Sequence, residues 1–193
     1  DQVLTNNEGD QDTTLSEYYT SRSSYINKVG LLQYTVGYDV NLEFVKSLKI
    51  DSGSAKNIQD YALYTNISYA LVKDKLTAQA GLRGAYNTMY TAPVTPSFNL
   101  LFTPKKNLQV RASYTKGYRA PSLKELYLHF FDANHKIQGN PDIKPENSNH
   151  IQLSASYQAY ENKTDYLQLS LSSNYNEVKN GIVLVPLHPD DST

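Results

Sequence analysis

Residues Gln109 to Glu146 read QVRASYTKGYRAPSLKELYLHFFDANHKIQGNPDIKPE, and the reading of this stretch decides the fold. Its beginning is a strand. With Leu108 in front, Val110, Ala112 and Tyr114 fall on one side and Gln109, Arg111 and Ser113 on the other, the period of two expected of a sheet that is wet on one face. The alternation then stops. Gly117, Pro121, Gly139, Pro141 and Pro145 are expected to break any ladder between Lys116 and Glu146, and a second alternating run begins near Ile151. The stretch therefore predicts a strand, a long loop and a returning strand.

The same alternation recurs on either side. Leu32, Tyr34, Val36, Tyr38, Val40, Leu42 and Phe44 alternate with polar residues or glycine; Tyr61, Leu63, Thr65, Ile67, Tyr69 and Leu71 resume the alternation, and Leu76, Ala78, Ala80 and Leu82 oppose Thr77, Gln79, Gly81 and Arg83. Phe98, Leu100 and Phe102 mark a further strand before the quoted stretch. Ile151, Leu153, Ala155 and Tyr157, then Leu167, Leu169 and Leu171, mark two after it. Glu17 to Ile26 is a weaker strand, Gly181 to Pro186 a last short apolar run, and Asp1 to Leu15 reads as exposed loop. Val45 to Asp60 has neither periodicity and reads as a long polar loop.

The connections carry as much information as the strands. Tight turns at Lys73 to Lys75, Thr103 to Asn107 and Glu161 to Thr164 alternate with longer ones at Val45 to Asp60, Thr91 to Thr95 and Tyr118 to Asn147. In an antiparallel meander this puts short turns at one rim and long loops at the other, the layout of outer-membrane barrels. The fold class predicted is all-β: an antiparallel up-and-down meander of about eight strands of the transmembrane β-barrel kind, with one short helix in the long loop; that it is a partial segment of a large barrel is what the family resemblance of the Gly117–Ser148 motifs implies. On that assignment the apolar sets face lipid and the polar sets, with Arg83 and Arg111, face a lumen. Tyr69, Phe102, Tyr157, Tyr160 and Tyr166 sit near the short turns, where an aromatic girdle belongs. Ordinary cross-strand tyrosines of a soluble sheet are the competing explanation.

Composition agrees with a sheet wet on one side. The chain has 193 residues, 17 of them tyrosine, no tryptophan, and a hydrophobic fraction of only 39%, so apolar residues are spread thinly in alternation. Eighteen basic against nineteen acidic residues give a net charge of -1 and no electrostatic case for nucleic acid. The absence of cysteine removes disulfides and thiolate metal sites and fits an oxidising compartment. Asp1 to Leu15 does not read as a signal peptide, and no apolar run approaches the roughly 20 residues of a membrane helix, whereas a barrel strand needs only about 9 to 11 alternating ones.

Nothing points to catalysis or a resident cofactor: there is no phosphate loop, nucleophile elbow or zinc-type His-Glu spacing. His129, Asp132 and His135 lie three apart and would hold a metal only if a helical turn gathered them; a loop histidine more often bonds to backbone or water. Pro121 to Phe130 is expected to hold a short helix bounded by Pro121 or Ser122, with Leu123, Leu126, Tyr127 and Phe130 on one face packed against the barrel wall or neighbouring loops. Arg119 and Glu146 frame the loop and are placed to pair across it.

Gly117-Tyr118-Arg119-Ala120-Pro121-Ser122-Leu123-Lys124-Glu125-Leu126-Tyr127, followed by Asn134-His135, Gly139-Asn140-Pro141 and Lys144-Pro145-Glu146-Asn147-Ser148, resembles the signature near the C-terminal end of the barrel in TonB-dependent outer-membrane receptors. Several short matches in the right order are more specific than any one. With the strands around it, the resemblance covers about Tyr61 to Val185.

The resemblance implies a receptor in the outer membrane of a Gram-negative bacterium that captures a scarce nutrient (an iron-siderophore complex, haem or a corrinoid) and imports it with energy supplied by TonB. It implies an architectural role for Gly117, Arg119, Pro121, Glu125, Asn134, Gly139, Asn140, Pro145 and Glu146. It makes Tyr118, Tyr127, Phe130, Phe131 and His135 the expected contacts to an aromatic or metal-bearing ligand. The partners implied are membrane lipid, the TonB complex through parts outside this chain, and a small metal chelate or corrinoid. The family has an N-terminal plug and a barrel of roughly 22 strands; residues 1–193 show no plug and are expected to be a fragment of the barrel domain. The alternative from another class is a soluble secreted β-sandwich that binds carbohydrate or protein through tyrosine-rich loops.

Overall fold

The computed structural model of the chain describes residues 2–5, 11–50, 53–131 and 136–183. Its strands are β1 (Gln2–Thr5), β2 (Gln11–Val29), β3 (Leu32–Lys46), β4 (Lys56–Val72), β5 (Leu76–Asn87), β6 (Thr95–Lys105) and β7 (Leu108–Arg119). A short helix α1 (Leu123–Tyr127) and a small hairpin, β8 (His129–Phe131) with β9 (Lys136–Gln138), interrupt the series before β10 (Glu146–Glu161) and β11 (Tyr166–Lys179). The long strands and the four-residue β1 form one nine-stranded sheet in the order β1-β2-β3-β4-β5-β6-β7-β10-β11, every neighbouring pair antiparallel. This is the predicted up-and-down meander, with eight long strands. It is not the sandwich alternative, because consecutive strands pair in a single sheet.

Register sorts the side chains as the alternation requires. Along one row Tyr34 pairs with Ile67, Ile67 with Ala80, Ala80 with Phe98, Phe98 with Tyr114 and Tyr114 with Ile151. The adjacent row takes Asn66, Gly81, Ser97, Thr115 and His150. One face is thus apolar and the other polar. On the polar face Arg22 bonds Asp39 at 2.7 Å and Arg83 bonds Asp60 at 3.0 Å. The apolar face stands open: Leu63, Phe98, Leu153, Leu171 and Tyr175 are all more than half exposed.

Several elements depart from the sequence reading, each through pairing that alternation cannot report. Within Asp1 to Leu15, expected as loop, residues 2–5 form β1 and residues 11–15 belong to β2, because 11–14 pair with β1 and Leu15 with Lys46 of β3. Gly117 does not end its strand. It lies inside β7 opposite Ser148, whose Oγ fills the space a Cβ would need, and the ladder runs on until Arg119 meets Glu146. The turn expected at Thr103 to Asn107 narrows to Lys106 and Asn107, with a register irregularity between Phe102 and Lys105, and the connection placed at Thr91 to Thr95 spans 88–94.

The largest correction concerns Val45 to Asp60. Only 47–55 connects the strands, and the segment is not polar in its packing: Val45, Ile50 and Ile58 are 2%, 2% and 8% exposed and form, with Leu123, the hydrophobic cluster of the described residues. Three apolar residues spaced five and eight apart match neither a strand nor a helix period, so a periodicity search overlooks them.

Candidate functional site at the long-loop rim

The loop between β7 and β10 starts with a pair of reciprocal caps. Glu125 N–H donates to Ser122 Oγ at 3.3 Å while Ser122 N–H donates to Glu125 Oε2 at 2.8 Å, the Ser-x-x-Glu box that satisfies two of the N–H groups a helix start leaves free. Pro121 precedes it, fully buried. The helix is shorter than Pro121 to Phe130, because Leu128 turns extended and pairs with Ile50. Leu123 and Leu126 are buried as predicted, at 0% and 1% exposure, and Leu123 packs against Val45, Ile50 and Ile58. Val45 and Ile58 alternate in phase with Asp39 and Asp60, so the loop folds over the polar face of the sheet at this rim.

Arg119 ties the base of that loop. Its Nε donates to Glu146 Oε2 at 2.7 Å and its Nη1 to both oxygens of Glu125 at 3.0 Å, while the other Glu146 oxygen accepts Ile182 N–H at 2.6 Å. One guanidinium therefore joins the end of β7, the start of α1 and the start of β10, and through Glu146 the chain beyond β11. The expected Arg119–Glu146 pair is present; Glu125 and Ile182 complete it. The bonds from Arg119, then the one from Ile182, hold the Glu146 carboxyl down at about 2. For Glu125 burial pushes upward, but the bonds from Arg119 and Ser122 together outweigh it and the carboxyl lies below its ordinary value.

The return half of the loop is fastened by its glycine and asparagine. Gly139 N–H donates to Leu128 O at 2.6 Å and Asn140 N–H to Glu125 O at 3.0 Å. A Cβ on Gly139 would stand 2.7 Å from backbone atoms of Leu126 and Tyr127, so only glycine allows this approach. Asn140 Oδ1 accepts Asp142 N–H at 2.9 Å, an Asx turn that leads toward Pro145, whose carbonyl accepts from Asn147 and Asn180.

The two long loops are fastened to each other. Besides the shared core and the Ile50–Leu128 bridge, His129 N–H donates to Lys49 O at 2.7 Å, and Lys56 Nζ lies 4.7 Å above the Tyr127 ring. A contact between segments some eighty residues apart leaves no local pattern. Nearby, Asn87 Oδ1 caps the third connection by accepting the N–H groups of Met89 and Tyr90.

Of the five expected ligand contacts, the structure brings two to this rim with their surroundings defined. Tyr127 is half-buried between the core and Lys56. The Tyr118 hydroxyl is buried without a hydrogen-bond partner, and burial, then the charge of Asp60 and the nearness of Tyr90, raise its pKa. Phe130 and Phe131 belong to the β8 hairpin, but their side chains, like Asn134 and His135, lie outside those described. So does Asp132; the metal reading of the histidines therefore falls on undescribed residues, and among the described ones no group of three His, Cys, Asp or Glu could hold an ion. Capping, clasp and core make this rim an ordered platform.

Comparisons with known proteins agree with this architecture. Residues 2–193 match the family model described as TonB dependent receptor-like, beta-barrel. The chain is 27% identical over 111 residues to hemoglobin and hemoglobin-haptoglobin-binding protein A of Haemophilus influenzae, covering 58% of this chain and 10% of that protein. It is 33% identical over 61 residues to a probable hemoglobin and hemoglobin-haptoglobin-binding protein 4 of the same species, over 32% of this chain and 6% of the other. Among solved structures, the siderophore receptor PirA of Pseudomonas aeruginosa superposes with a TM-score of 0.77 at 18% identity, over 93% of this chain and 35% of that one. The ferric enterobactin receptor of the same organism gives 0.69 at 16%, over 90% and 28%. The chain thus spans about a tenth or less of the length of these curated relatives and about a third of these structures. A single polar-and-apolar sheet, short turns at one rim, a motif-bearing loop at the other and a model match along nearly the whole chain lead to one conclusion: this chain belongs to the TonB-dependent receptor β-barrel family.

Proposed function

We propose that residues 1–193 form a stretch of barrel wall in an outer-membrane receptor that binds a scarce nutrient at the cell surface and imports it with TonB-supplied energy. The observation that carries this reading is the division of one sheet into two faces and two rims. An open apolar face bearing Leu63, Phe98, Leu153 and Leu171 is far larger than a soluble protein leaves to water, and outer-membrane lipid is what covers it. The polar face, with its Arg–Asp pairs, lines the lumen. Nine strands are too few for a wide barrel, so further strands and a plug belong to the rest of the receptor, and the TonB complex acts through those parts.

The names of these relatives support iron as the ligand class. Two are named for hemoglobin and two for siderophore uptake, so iron, as a ferric siderophore or haem, ranks ahead of a corrinoid. The contacts are Tyr118, Tyr127, Phe130, Phe131 and His135, aromatic rings and an imidazole suited to an aromatic or metal-bearing ligand. The remaining motif residues hold the platform. The test is deletion of the complete gene in its native host, followed by growth under iron limitation on ferric siderophores, hemoglobin or haem, each supplied alone, with cobalamin-dependent growth measured separately. Loss of growth on one source, restored by the intact gene, is the expected result. Unchanged growth on every source overturns the transport reading.

A further inference from the structure

Charge is distributed unevenly between the two rims. At the long-loop rim basic and acidic groups are interleaved and paired, Arg119 with Glu125 and Glu146, Lys179 with Glu177. At the short-turn rim Lys28, Lys73, Lys75, Lys105, Lys106 and Lys163 stand against only Asp74, Glu161 and Asp165. All six lysines are exposed, and none is in an ion pair among the described residues. The rim is therefore locally cationic in a chain whose net charge is -1.

Two features say what such a rim meets. The lysines are not a patch: three of the four short turns carry at least one, so the ammonium groups follow the rim as a line rather than gathering into the compact footprint that a protein partner contacts. They also border an aromatic band. Tyr69 precedes Lys73, Phe102 precedes Lys105 and Tyr160 precedes Lys163, all three rings on the apolar face and exposed by more than 40%. Aromatic rings of this kind sit at headgroup depth, which puts the lysine tips among lipid phosphates.

We propose that the short-turn rim is a docking line for anionic phospholipid headgroups of the leaflet in which it lies, held by Lys73, Lys75, Lys105, Lys106 and Lys163. The inference rests on the membrane reading above. The line selects phosphatidylglycerol-type lipid over zwitterionic lipid around the barrel and resists tilting of the wall, an electrostatic contact that salt weakens.

The test uses the full-length receptor reconstituted in bilayers of phosphatidylethanolamine and phosphatidylglycerol, with spin-labelled versions of each lipid reporting the immobilised boundary population. The native receptor is expected to prefer phosphatidylglycerol by about fivefold or more, what one lysine at an anionic surface is worth. The preference falls with added sodium chloride, survives equimolar inorganic phosphate, and drops to near unity in the K73Q/K75Q/K105Q/K106Q variant. A receptor that inserts normally but shows no preference, or one that the variant retains, overturns the lipid line and leaves the membrane reading standing. Loss of the preference to equimolar phosphate assigns the rim to free anions and overturns it too. A receptor that does not partition into bilayers overturns both.

Discussion

Arg119 shows how much one side chain organises here. It is 45% exposed, and exposed ion pairs are ordinarily worth little, yet its three acceptor oxygens lie on two carboxylates that are themselves fixed by Ser122 and Ile182. Discounted for solvent, Arg119→Ala is expected to cost the loop about 1–2 kcal/mol, read as faster hydrogen exchange at α1 and at 139–145 in the full-length receptor, with β5 and β6 unchanged. Acid makes the same change reversibly. The folded Glu146 pKa of about 2 lies below its ordinary 4.5, so its stabilisation is complete above the ordinary value and is lost as pH falls through the interval toward about 2. Glu146→Gln should remove that acid dependence of loop exchange; a loop whose exchange ignores pH in the native receptor would contradict it. The sequence makes Arg119 and Glu146 legible as partners because they bracket a proline-rich loop. It hides Ile182, which reaches Glu146 from the far end of the next hairpin.

Among the elements, the strands differ from the loops in how they are specified. Each strand declares itself by alternation, and its register follows from keeping Phe98, Tyr114 and Ile151 in one row. The loops are specified by one another. Ile50 and Leu128 pair, and Leu123 fills the space between Val45 and Ile58. Leu123→Ala is therefore expected to cost about 2–5 kcal/mol of local stability and to expose 47–55 to protease together with 120–145. Leu48→Ala, at a position 68% exposed in the same connection, should change either by less than about 0.5 kcal/mol. Cleavage confined to 120–145 in the Leu123 variant would mean that the loops stand independently.

For the whole molecule the governing fact is that neighbouring residues on one strand lie on opposite faces of the sheet, one apolar and one polar, which the proposed function gives to lipid and lumen. Leu153 is 54% exposed on the apolar face, while Gln152 pairs with Ser113 on the polar face. Leu153→Lys in the full-length receptor should lower folding free energy in bilayers by up to about 2–4 kcal/mol, depending on its depth, whereas Gln152→Lys should be near neutral. Denaturant titration of receptor folded into vesicles measures both. Equal costs would mean that the faces are not lipid and lumen.

Neither β1 nor the β8–β9 hairpin is legible in the sequence, whereas the eight long strands, their antiparallel order, the two faces, the alternation of turns and loops and, through one motif block, the family all are. These are local or periodic properties, written in residues two, three or a few tens of positions apart, and the Ser122-x-x-Glu125 cap belongs with them. Only the tertiary structure decided that Gly117 continues its strand, that Val45, Ile50 and Ile58 are core, and that the two loops are one unit. It also left the Tyr118 hydroxyl buried and free at the same rim. The physical reason is that strand period is set by the backbone, whereas burial in a loop depends on which distant segment arrives to cover it.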